Sequence, residues 1–176
     1  MVCGVCMEKE LPVRKRLRLQ GYDYSSAGYY FITVCVEDGH EMLGEIVGDA
    51  VLCVPCVELS DIGKIVQTYL EKMNTVLEYV FLEKYVIMPN HVHFLVVINN
   101  GTQRTASPTK ATIPRIVHGM KAVATKQIGY SIWQRGCHDH IIRNQNEYKR
   151  ISQYIDENPA KWAEDRYYSE RKREND

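Results

Sequence analysis

The sequence predicts an α+β sandwich: an antiparallel sheet with helices packed on it, closed by a C-terminal helix that carries Tyr154. Three observations predict it. Short runs rich in β-branched and aromatic residues alternate with stretches whose apolar residues recur at helical spacing. Two of the β-rich runs are separated only by Pro89-Asn90, a turn dipeptide that makes adjacent antiparallel strands of them. The last periodic segment of the chain is helical and amphipathic.

Residues 29–36 (YYFITVCV) lie between Gly28 and the turn signal Glu37-Asp38-Gly39 and predict a strand. Shorter strand-like pieces follow at 43–47 and 51–58, the second interrupted by Pro55 and so expected at a sheet edge. Ser60-Asp61 then caps a helix whose face is Ile62, Ile65, Val66, Tyr69, Leu70, Met73 and Leu77. Strands are expected at 80–88 and 91–98, followed by a polar, flexible loop over 99–112. Pro114 opens a second helix, with Ile116, Val117, Met120, Val123, Ala124 and Ile128 as its apolar face, ending near Gly129. Residues 131–133 and 137–142 predict short strands, and 145–158 the last helix. This order of elements is that of a ferredoxin-like sandwich.

A chain of 176 residues that is 45% hydrophobic and 25% charged fits one domain over residues 1–176, with a basic arm at 1–20 and a polar tail at 169–176. The apolar stretch at 94–98 is far too short to cross a bilayer, and the N-terminus lacks the layout of a secretory signal, so a cytoplasmic protein without a membrane partner is expected. Net charge is zero, which leaves nucleic-acid binding to local clusters. The clearest cluster is Arg14, Lys15, Arg16 and Arg18, followed by Tyr22, Tyr24, Tyr29 and Tyr30, a mixture suited to phosphates and stacked bases; a solvated arm is the plainer reading. Lys121, Arg135 and Arg143 are further candidate DNA contacts by charge and placement. Two Cys-x-x-Cys pairs, Cys3/Cys6 and Cys53/Cys56, are a candidate zinc clip or else free thiols.

His91 and His93 alternate with Val92, so in a strand both imidazoles emerge on one face and can converge on a metal ion, or serve a purely structural role. His138-Asp139-His140 repeats the spacing with a charged middle residue, which suits a strand interior less well. In the last helix, Asn144 to Glu147 can form a capping box, and Tyr154 and Asn158 lie four apart at the edge of the face formed by Ile151 and Ile155. A phenol near a polarised phosphate can perform transesterification at phosphorus; a tyrosine at a helix boundary can equally be a packing residue.

The strings YVIMPNHVHFLVVI, SIWQRGCHDHIIRNQNEYKRISQYIDENPAKW and GYDYSSAGYYFIT resemble the REP-associated tyrosine transposases, relatives of the single-strand insertion-sequence transposases in the HUH endonuclease superfamily. The resemblance runs from about Arg14 to Tyr168. It implies a ferredoxin-like core, a Mg²⁺ or Mn²⁺ site, and a DNA endonuclease and strand transferase that cuts single-stranded DNA beside REP-like hairpins through a 5′-phosphotyrosine. It further implies that His91 and His93 bind the metal, that Tyr154 is the nucleophile, and that Asn158 is the third ligand. Gly28 to Phe31 matches the family's Gly-x-aromatic-aromatic motif, placing Tyr29 near DNA. Monomers and homodimers both occur among such enzymes. The alternatives are a domesticated protein that binds hairpins without cutting them, and a zinc protein in which the cysteines matter. A histidine-triad hydrolase is excluded because Leu95 stands where a third histidine would be required.

Overall fold

The structure is a computed structural model that describes residues 21–48, 54–77, 79–99 and 112–168. The expected basic arm with Arg14, Arg16 and Arg18, the cysteines Cys3, Cys6 and Cys53, nearly all of the 99–112 loop and the polar tail lie outside the described residues.

In chain order the elements are β1 (Gly28–Cys35), β2 (Gly44–Val47), β3 (Cys56–Leu59), α1 (Asp61–Val76), β4 (Val80–Met88), β5 (His91–Ile98), α2 (Ile113–Ile128), β6 (His138–Ile142) and α3 (Gln145–Glu157). A 3₁₀ segment, Pro159–Glu164, follows α3. Four strands form one sheet in the order β4-β5-β1-β6, while β2 and β3 make a separate hairpin. Every neighbouring pair in the large sheet is antiparallel. With the hairpin set aside, the order β1-α1-β4-β5-α2-β6 is the ferredoxin-like βαββαβ arrangement, and α3 is added to it.

The period of two along each strand decides which side chains each helix layer covers. Tyr30, Ile32 and Val34 of β1 and Val92, Phe94 and Val96 of β5 form the main core with Val66 and Leu70 of α1 and Ile116 and Met120 of α2. The alternate positions face the other way: Leu95 and Ile142 pack with Ile151 and Ile155 of α3. Every residue of β5 is therefore buried, and its two histidines are the polar exceptions in an apolar run. Each isoleucine that α3 buries contributes about 1.5–3 kcal/mol. Lys84 adds a latch, its Nζ donating to Ser152 Oγ at 2.8 Å and to Asp156 at 2.7 Å across the β4–α3 seam.

The helix starts follow the sequence signals. Ser60 Oγ accepts from the Gly63 amide at 3.1 Å, Thr112 from the Arg115 amide at 3.4 Å, and Asn144 from the Glu147 amide at 2.9 Å. Glu147 returns its own bond to the Arg143 amide at 2.8 Å, one residue before the position a standard capping box uses. Residues 131–133 do not form the expected strand, contributing one bridge between Trp133 and Val36. The reason is geometric: beyond β6 the segment bonds to Cys35 and Glu37, at 3.0 and 2.8 Å, but there the chain after β1 turns into a 3₁₀ segment at Glu37–Gly39 and the pairing cannot continue. Pro159 ends the α-helix as expected, yet Asn158 keeps helical angles (φ −56°, ψ −44°) and the chain continues in the 3₁₀ segment.

Gly63 sits in the first turn of α1, where a Cβ would collide with the Leu43 carbonyl oxygen. That carbonyl already accepts the Ser60 amide at 3.0 Å, so it cannot withdraw without uncapping the helix. Gly63→Ala is expected to lower unfolding stability by about 1–3 kcal/mol in urea titration; an unchanged midpoint would show that the α1–hairpin contact is loose.

Candidate active site

The turn that separates β4 from β5 sets the site. Asn90 Nδ2 donates to two backbone carbonyls, Tyr167 O at 2.8 Å and Gly39 O at 3.2 Å. This fixes the amide so that its Oδ1 faces His91 Nδ1 at 2.8 Å, and an oxygen there requires that Nδ1 carry the proton. His91 Nε2 is left with a bare lone pair. His93 is oriented from the neighbouring strand: its Nδ1 lies 2.8 Å from Thr33 Oγ1. A threonine hydroxyl can donate to that nitrogen or accept from it, so the His93 tautomer follows what its Nε2 meets.

The two Nε2 atoms face each other across 3.0 Å, a contact that holds one shared proton or a cation. Two bare imidazole nitrogens at that distance repel unless a cation or proton lies between them. Burial pushes the His91 pKa down to about 4 and that of His93 well below its usual value, with neighbouring His91 lowering the latter further. The pair is therefore neutral at pH 7, the form in which imidazole ligates metal. His91, His93 and Asp165 form a group that could hold a metal ion, each offering a ligand atom within 4.8 Å of the others.

From α3, Tyr154 brings its hydroxyl to 3.2 Å from His93 Nε2 and donates to Asp165 Oδ2 at 2.9 Å. Partial burial, followed by the charge and hydrogen bond of Asp165, pushes the phenol pKa up to about 12. Asn158, one helical turn further, donates from Nδ2 to the same Asp165 oxygen at 3.0 Å. Its Oδ1 is buried and has no hydrogen-bond partner among the described residues. Two imidazole nitrogens grouped with a carboxylate, and an orphaned acceptor on the side chain bonded to that carboxylate, fit a divalent cation, which such a donor set would satisfy.

Sequence reading missed Asp165. It lies beyond Pro159 in a polar stretch without periodicity, and its one local mark is the turn it forms by accepting the Tyr167 amide on Oδ1 at 2.7 Å. That stretch also covers the histidines. The Tyr167 ring lies 4.6 Å from the His91 ring and 5.9 Å from the His93 ring, and Trp162 packs against His91 at 5.9 Å. As a result His91 and His93 are 0% and 1% exposed. Tyr154, Asn158 and Asp165 in contrast line an open cleft of about 360 Å³ between α3 and the 3₁₀ segment.

The candidate DNA contacts fall in different settings. Tyr29 is exposed and meets Tyr148 edge-on at 5.4 Å, on the sheet face that carries the histidines. Arg135 and Arg143 are exposed on the loop before β6 and at the start of α3. Lys121 instead serves the fold: its ammonium donates to the carbonyls of Gln134, at 2.6 Å, and Gly136, holding the turn that presents Arg135. His140 pairs with Glu147 at 2.6 Å and stands apart from the metal group. Of the cysteine pairs only Cys56 is described; it is exposed on β3 and is not part of the metal group.

No family model matches the sequence. A protein of Haemophilus influenzae, described as an uncharacterized protein, is 31% identical over 173 residues, which span 88% of this chain and 93% of the relative. Among solved structures, a REP-associated tyrosine transposase bound to a REP hairpin superposes with a TM-score of 0.56. The match is 19% identical and covers 86% of this chain and 74% of that one, a likeness of fold. No helix among the described residues is long and apolar enough to cross a membrane.

Metal binding tests the donor set directly. Removing a group that orients a metal ligand costs roughly 10–100-fold in affinity. Mn²⁺ titration by calorimetry is expected to show a loss of that size for Asn90→Ala and a larger one for His93→Ala. Comparing Asp165→Ala with Asn158→Ala decides which side chain is the third ligand, since the true ligand's loss is the greater; equal affinity in all four variants would mean the group does not bind metal.

Proposed function

We propose that this chain, which belongs to the same family as its Haemophilus influenzae relative, is a metal-dependent tyrosine transposase that cuts and rejoins single-stranded DNA beside REP-like hairpins. The observation that carries the reading is the Tyr154 hydroxyl, held 3.2 Å from His93 Nε2 and 2.9 Å from Asp165 Oδ2. A nucleophile, a proton acceptor and a metal-binding group thus meet at one point. The shared fold with a transposase bound to a REP hairpin supports the choice of substrate.

His91, His93 and either Asp165 or Asn158 would hold the ion, Mg²⁺ or Mn²⁺; two imidazoles favour Mn²⁺ over Mg²⁺, which prefers oxygen ligands. Bound there, the ion supplies polarisation of the scissile phosphate. Asp165 Oδ2 accepts the phenol's hydrogen bond and takes its proton as Tyr154 Oη bonds to phosphorus. The bond from phosphorus to the 3′-oxygen breaks, and over the whole step one proton passes from the phenol to the departing oxygen, which leaves as a 3′-OH. The product is a 5′-phosphotyrosine that conserves the bond energy for rejoining.

Tyr154 is protonated at pH 7, as an ordinary phenol is, and the rise to about 12 makes its ionisation harder still, so with Asp165 already in place the attack waits on a polarised phosphate. Because the histidines are buried under Tyr167, a phosphate reaches them only when the stretch around that residue withdraws. The same burial favours the second reading, a hairpin-binding protein that does not cut.

A hairpin oligonucleotide with single-stranded flanks and Mn²⁺ separates the two. The transposase reading expects an adduct that survives denaturation, its formation reduced about 10³-fold or more in Tyr154→Phe with hairpin binding retained. Tight binding with no adduct in the unsubstituted protein would favour the non-cutting reading.

A further inference from the structure

The cleft beside Tyr154 is built with a charge gradient. Arg150, Gln153, Tyr154, Glu157 and Asn158 line it from α3, and Glu164 and Asp165 from the 3₁₀ segment and the residue after it. Arg150 stands one turn before Tyr154, about 6 Å along the helix on the same face. The carboxylates gather at the opposite end. Of the two cations in the lining, Lys161 is bound to Glu157 at 2.6 Å. Arg150 is exposed and has no hydrogen bond or ion pair among the described residues. Its nearest acid along the helix, Glu147, feels the Arg150 charge but spends its hydrogen bonds on His140 at 2.6 Å and the Arg143 amide at 2.8 Å.

From this we infer that the cleft is the subsite for the phosphodiester next to the scissile one, with the Arg150 guanidinium binding its charge. The inference rests on Tyr154 being the nucleophile. An unpaired guanidinium presents a planar fork of donors that matches two phosphate oxygens, and one turn of helix is close to the spacing between successive phosphates of an extended strand. A volume of about 360 Å³ lies in the range of small-ligand clefts, enough for part of one nucleotide rather than a duplex. The acidic end repels the backbone, so the strand leaves Tyr154 toward the start of α3. Exposed Arg143, seven residues before Arg150, extends the cationic strip in that direction. Arg150 thus fixes which neighbour of the cut is gripped, and with it the direction in which the strand lies across the nucleophile.

The test uses the full chain with Mn²⁺ and hairpin oligonucleotides in which one phosphate flanking the cut, on either side, is replaced by an uncharged methylphosphonate. In the unsubstituted protein one of the two replacements is expected to slow adduct formation about tenfold, the size of one hydrogen-bonded charge pair. Arg150→Gln should slow the unmodified oligonucleotide by a similar factor, and the two changes together should be no worse than either alone. Arg150→Lys, which keeps the charge and loses the fork, should recover part of the rate. Adduct formation by Arg150→Gln at the unsubstituted rate, or losses that multiply for both methylphosphonates, would overturn the assignment while leaving the nucleophile in place. Absence of any adduct in the unsubstituted protein would instead overturn the nucleophile. Affinity for the unmodified oligonucleotide, measured in the Tyr154→Phe protein, then judges Arg150 separately: an Arg150→Gln loss of about tenfold that the methylphosphonate does not deepen supports the subsite, and no loss overturns it.

Discussion

Two imidazole Nε2 atoms that face each other across 3.0 Å are the constraint on which the rest of the site depends. Neither ring can turn away. Asn90 holds one through Nδ1 and Thr33 holds the other, and both anchors are buried. Asn90 is in turn bonded to the carbonyls of Gly39 and Tyr167, so the turn between β4 and β5, the turn after β1 and the C-terminal stretch meet at one amide. The sheet supplies the rigidity: β5 is paired on both edges and covered on both faces. A donor pair so placed is pre-organised, and the energy of holding it comes from the fold rather than from a ligand.

Most of this framework could be read in the residues. The His91-Val92-His93 alternation puts both rings on one face only if the segment is a strand, and the Pro89-Asn90 turn and β-branched flanks made it one. Ser60 and Asn144 cap helices where the sequence placed them, because a cap is a local bond between a side chain and an amide three residues on. Tyr154 meets His93, and Asn158 meets Asp165 beside it, because the face that Ile151 and Ile155 bury fixes the helix rotation.

What escaped the sequence depends on long-range return of the chain. Asp165 reaches the histidines through a 3₁₀ segment that continues past Pro159, a residue that ordinarily marks the end of helical structure. The contact that pins this stretch joins Asn90 to Tyr167, 77 residues apart, and no local pattern announces it. The carbonyl bonds of Lys121 escaped for a local reason. A cation near a loop suggests an outward reach, but a long flexible stem can equally bend back to orphaned carbonyls, as it does to Gln134 and Gly136.

The fold leaves two phenols near the metal group. Tyr154 donates to Asp165 at the cleft, and Tyr167 lies over the His91 ring, with Thr33, Cys35 and Arg166 around its hydroxyl. Only Tyr154 lines the cleft through which a strand can approach, and Tyr167 shields the histidines behind it. Under the proposed function this difference in access selects the nucleophile. Mass-spectrometric mapping of the peptide that stays joined to a cleaved hairpin oligonucleotide tests it most directly. The nucleotide is expected on Tyr154; finding it on Tyr167, or on any other residue, would overturn the assignment.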